Sequence, residues 1–200
     1  MNYPALLLTA ITATSLAGCA ATPHIREHPG VRYSFSNDKQ EGIAFFSTTY
    51  SGECIPTGSM MLKSNHLQGN PKSDEWTIFV ANPFIESDFP DHYALLHVRA
   101  LPAGRYAIDD LVFFAYPVAS YRTITRFTIP FSVQPGRATY LGRLRIHFTC
   151  DSTFRILATD AASEDFRLFS ERTPKIPRET IITTIAAPRM QADDTTIPTK

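Results

Sequence analysis

Charge imbalance, cysteine and recognisable catalytic motifs are what this sequence has least of. Nineteen basic and nineteen acidic residues cancel over 200 positions. That balance removes the positive field by which a chain announces nucleic acid as its partner, and none is expected. The three cysteines, Cys19, Cys54 and Cys150, contain no Cys-x-x-Cys pair, so dithiol redox chemistry lacks its spacing. Neither a Gly-x-Ser-x-Gly nucleophile elbow nor a phosphate-cradling glycine loop occurs. No run beyond position 18 approaches the roughly 20 apolar residues of a spanning helix. These absences favour a binding or structural module over an enzyme, with no cofactor and no metal.

What is present is aromatic and rich in turns. Fourteen Phe, eight Tyr and fifteen Pro favour an all-β domain over a helical one. Between His92 and Phe148 a short pattern occurs twice, as Leu101-Pro-Ala-Gly-Arg-Tyr and Val133-Gln-Pro-Gly-Arg-Ala. Proline and glycine set the backbone angles of a tight reversal, and the Tyr, Ile and Leu that follow suit a pleated surface.

Alternation locates the strands. Trp76, Ile78 and Val80 share a face, as do Ala94, Leu96 and Val98. In 106–115 the pair Asp109-Asp110 breaks the alternation, and a bulge there returns Leu111 and Phe113 to the core side. Phe127, Ile129, Phe131 and Val133 alternate with polar residues, and Pro130 assigns their strand to an edge. Gly142, Leu144, Ile146 and Phe148 form another face, and 43–50, 59–63 and 153–159 are further strands. Val31 to Phe35 alternates as a first edge strand. About eight runs without long helices between them predict an antiparallel β-sandwich. One helix is expected over 161–172, with Asp160 as N-cap, Glu164 and Asp165 at its positive end, and Phe166 and Phe169 one turn apart. Residues 178–187 add a Thr/Ile-rich strand, and the polar remainder to Lys200 is a disordered tail.

Pro4 to Leu16 is apolar, and the first 18 positions carry no charged side chain. The run ends in Leu16-Ala17-Gly18-Cys19, which resembles the lipobox of bacterial lipoproteins. The resemblance implies a signal peptide over 1–18, acylation of Cys19 and a membrane anchor through its lipids. Lys and Arg are missing from the segment before the apolar run, a departure from the usual signal. Ala20, where an aspartate would retain an enterobacterial lipoprotein at the inner membrane, points to the outer membrane with the domain in the periplasm. Residues 19–42 then form a lipidated cysteine and flexible tether.

The two Pro/Gly turns, Tyr140-Leu141-Gly142 and the stretch from Asp160 to Pro174 together resemble a group of uncharacterised Gram-negative lipoproteins. The resemblance implies a transthyretin-like sandwich, as in carboxypeptidase accessory domains, over 43–177. It supplies fold and no catalytic residues.

In an oxidising periplasm Cys54 and Cys150 are a candidate disulfide, against two buried thiols. Asp88, Asp91 and His92 read as a polar loop before a metal or acid–base site, and His24 and His28 lie in a linker next to Pro29. From Arg99 to Arg155 there are eight arginines and three aspartates, with no lysine or glutamate. If a hairpin turns at Pro135-Gly136, Arg126 faces Arg145, and with Arg143 they form a candidate anion-binding face. The functional expectation is a lipid-anchored structural or protein-interaction module of the cell envelope, with an envelope protein as partner. Binding of an anionic glycan or lipid through the arginine face is the alternative, and a hydrolase assembled from distant loops ranks below both.

Overall fold

The computed structural model describes residues 29–35, 40–52, 58–67, 76–82, 84–115, 120–124, 127–150 and 154–190. The eleven strands are β1 (Glu41–Gly52), β2 (Ser59–His66), β3 (Trp76–Ala81), β4 (Leu95–Pro102), β5 (Gly104–Ala115), β6 (Ser120–Ile124), β7 (Phe127–Val133), β8 (Ala138–Phe148), β9 (Phe154–Thr159), β10 (Ile181–Thr183) and β11 (Arg189–Met190). One helix, α1 (Ala162–Arg172), follows β9.

Two sheets stack face to face. The first is ordered β10-β8-β1-β4, with β9 also on β8, and the second β11-β7-β5-β2-β3, with β6 also on β5. The core between them takes Phe46, Leu144, Ile146 and Phe148 from the first sheet, and Leu62, Trp76, Ile108, Phe127 and Ile129 from the second. A smaller core lies on the opposite face of the first sheet, where Ile43, Phe45, Leu96, Val98 and Tyr140 meet Leu168 and Phe169 of α1. The molecule is therefore a mostly β sandwich with a helix as a third layer.

Most of the expected alternation is seen directly. Trp76, Ile78 and Val80 are buried while Thr77 is exposed, and Phe127, Ile129, Phe131 and Val133 are all buried. The β2–β5 register jumps from Lys63↔Asp110 to Ser64↔Ile108, which leaves Asp109 as the extra residue of a bulge and returns Leu111 to the core. On its outer side β7 meets β11 only at Phe127 and Thr128, so Pro130 lies where no described strand needs its missing N–H.

Three expectations are revised. Both Pro/Gly turns carry the chain from one sheet to the other: Pro102-Ala103-Gly104 joins β4 to β5, and Gln134 to Arg137 joins β7 to β8. They lie together around the start of β1, where Ala103 N–H donates to the Gln40 carbonyl and Gly136 N–H to that of Glu41. Val31 and Arg32 form a turn in place of an edge strand, and Tyr33 and Phe35 pack against the helix-side core. The helix N-cap is Ala161, one residue after Asp160, whose carboxylate accepts from Ala162 N–H at 2.9 Å. The strand expected within 178–187 is β10, which joins the first sheet parallel to β8.

Candidate functional site

The densest polar cluster lies between α1 and the first sheet, and a bulge in β8 builds it. Phe45 pairs with Tyr140 and Ser47 with Arg143, so two residues of β8, Leu141 and Gly142, oppose Phe46 alone. Strict alternation would put Tyr140 and Arg143 on opposite faces. The extra residue puts both under the helix, while Leu141 and Leu144 both face the inter-sheet core. Gly142 takes φ +90°, and a Cβ there would stand 2.9 Å from the Thr159 carbonyl oxygen.

Asp165, fully buried, is the centre of the cluster. Its Oδ2 accepts from Ser47 Oγ and from Tyr140 OH, each at 2.7 Å, and its Oδ1 from Arg143 Nη2 at 2.7 Å. Arg143 also donates from Nε to Ser47 Oγ at 2.9 Å and from Nη2 to Glu164 Oε2 at 3.0 Å. Its Nη1 lies 2.9 Å from His92 Nε2, and the guanidinium covers the ring of Phe89, 4.8 Å from its centroid. Phe89 in turn stacks on His92. Burial raises the Tyr140 hydroxyl pKa far above its ordinary value, and the negative charge and hydrogen bond of Asp165 add to the rise. Burial pulls the Arg143 pKa down, but the bonds and charges of Asp165 and Glu164 outweigh it, and the net direction is up.

This is a structural lock in its chemistry. The Ser47 proton is committed to a carboxylate and its oxygen to a guanidinium, and the nearby imidazole accepts from Arg143. The carboxylate that accepts from both Ser47 and Tyr140 is itself paired with Arg143, so the two hydroxyls are held as donors within a buried ion-pair cluster. It fastens α1 to β1 and β8, beside the stacking of Phe169 on Phe45 at 4.0 Å.

A second polar knot seals the outer edge of β4. Asp88 Oδ2 accepts from Leu96 N–H at 2.8 Å, Arg172 Nη1 donates to the Leu96 carbonyl at 3.0 Å, and Arg172 and Asp88 form an ion pair. Backbone groups that would invite another strand are thereby occupied.

The expected site residues separate. Arg126, Cys19 and Cys54 lie outside the described residues. Because β7 and β8 belong to different sheets, the ladder expected to bring Arg126 opposite Arg145 is not formed. Arg143 is bound to Asp165 and Glu164, while Arg145 is exposed, paired through the backbone with Thr49 and Leu157. Cys150, just beyond β8, is disulfide-bonded. Asp88 and His92 belong to the two knots, and among the described residues no group of three or more His, Cys, Asp or Glu could hold a metal. Ser47, Tyr140 and Asp165 as one cluster escaped the sequence reading. Gly142, a lone glycine within a strand pattern, was the signal for the bulge that assembles them. Among the described residues no helix is long and apolar enough to cross a membrane.

No protein-family model, curated protein or solved structure matches the chain.

Proposed function

We propose that the protein is an outer-membrane lipoprotein of a Gram-negative envelope, anchored through an acylated Cys19, whose periplasmic domain is a non-enzymatic structural or protein-interaction module. The sandwich is proposed to be of the transthyretin-like type. The observation that carries the module reading is the contrast between two edges. The β4 edge is sealed by Asp88 and Arg172, whereas β9 pairs among the described residues only with β8 and exposes 58% of Leu157. An open edge with an apolar side chain admits a partner by strand addition, and the lipid restricts both molecules to one surface. A second reading, an anionic glycan or lipid held by the arginine-bearing face, is favoured by Arg145 and Arg155. Both are exposed, and neither has an ionic partner among the described residues.

In-cell crosslinking of the acylated protein, with Cys19→Ser as the unanchored control, tests the module reading. The expected result is recovery of one envelope protein, lost with Cys19→Ser and with Leu157→Lys. Unchanged membrane retention of the Cys19→Ser protein would overturn the anchor. Equal recovery with Leu157→Lys would overturn β9 as the contact.

The disulfide is proposed to join Cys54 and Cys150. Gly52 and Phe148, the last residues of β1 and β8, are partners in their parallel register, and Cys54 and Cys150 each follow two positions later in the sequence.

A further inference from the structure

The register of the first sheet groups basic side chains that the sequence scatters. On the outer face of β8, past the end of the helix, Arg145 and His147 follow Arg143 in the same alternation. Leu157 and Arg155 of β9 stand opposite Arg145 and His147, and Thr49 and Ser51 of β1 flank them on the other side. Arg145, His147, Arg155 and Leu157 are all exposed. Diagonal neighbours on such a ladder stand about 7–8 Å apart at Cα, a spacing that long side chains close easily. Glu164 and Asp165 lie over the same face one step back along β8, but both are bonded to Arg143. Among the described residues no carboxylate pairs with Arg145 or Arg155. Like charges grouped in this way are unfavourable until an anion lies between them.

We propose that this face, made of Arg145, His147 and Arg155 around Leu157, docks on the phosphate headgroups of an anionic phospholipid surface. Choosing a membrane over an acidic protein rests on the lipid-anchored reading above. The segment leading back toward Cys19 leaves the domain on this same side, since Tyr33 and Phe35 pack against the helix-side core of the first sheet. The chain from Tyr33 to Cys19 spans at most roughly 50 Å, which keeps this side of the domain within reach of the surface that holds the lipid. A flat face of guanidinium groups with one apolar side chain suits a headgroup layer, where phosphates take the arginines and the leucine reaches the acyl boundary.

The test is vesicle cosedimentation of the full chain carrying Cys19→Ser, so that no acyl group contributes. Vesicles of phosphatidylcholine alone are compared with vesicles containing phosphatidylglycerol. Binding is expected to rise with phosphatidylglycerol and to fall with salt. Arg145→Gln and Arg155→Gln should each weaken the phosphatidylglycerol-dependent part about five-fold. Equal binding to both vesicle types, or no loss in the double arginine variant, would overturn the proposal. Binding to polyglutamate with none to phosphatidylglycerol would overturn it in favour of an acidic protein. The anchor fails or stands separately, by the mass of the mature amino terminus made in cells.

Discussion

At the scale of single residues, the molecule keeps its most costly polar groups for fastening its helix. Asp165 has no solvent exposure and satisfies three donors, so removing it strands Arg143 in a pocket where the side chain is only 11% exposed. A buried charge that loses its partner costs far more than the pair contributes net. Asp165→Ala is therefore expected to lower stability by about 3–5 kcal/mol in urea unfolding, towards the lower figure because Glu164 still contacts the guanidinium. A loss within experimental error would mean that the cluster does not fasten the helix. Ser47 and Tyr140 mark the limit of reading residues singly: each looks like an ordinary strand position, and only the shared carboxylate makes them a unit.

Among elements, β8 decides the architecture. It pairs with β1 on one side and with both β9 and β10 on the other, so its irregularity is felt by three neighbours. The bulge at Leu141-Gly142 sets both Tyr140 and Arg143 under the helix, and the outer face of β8 opens only beyond them, at Arg145 and His147. Gly142→Ala would force a side chain into the left-handed region and against the Thr159 carbonyl, a backbone strain of about 1–3 kcal/mol. The expected outcome is a fall in stability of that size, with faster amide exchange in α1 than in β5. Wild-type exchange in α1 would show that the bulge does not hold the site. The Asp109 bulge in β5 was legible because charge interrupts its alternation, whereas the β8 bulge keeps a plausible apolar pattern on either side.

For the whole molecule, covalent closure is the remaining question. A Cys54–Cys150 bond would close a loop of about 100 residues, which the chain-entropy estimate values at up to about 4.7 kcal/mol, less any strain. Reduction is expected to lower the denaturation midpoint of the intact protein, and alkylation without reductant to leave both cysteines unlabelled. Labelling of both would remove the pairing. A bond there would tie the far ends of β1 and β8 beside the open arginine face, opposite the end where both Pro/Gly turns cross between the sheets.

The sequence by itself determined what depends on local spacing. It placed most of the strands through period-two burial, though not β6 or β11, the helix through its acidic first turn and paired phenylalanines, and the turns through Pro and Gly. Tertiary structure decided which strands share a sheet, and so corrected the β7–β8 ladder into a crossover. It also decided which charges meet: Arg143 is neutralised by a helix that follows it by about twenty residues, while Arg145 and Arg155, separated in sequence, become neighbours across a ladder. The physical reason is that alternation fixes the face a side chain takes within its own strand. The partner strand and the register beneath an extra residue come from long-range packing, which no local window contains.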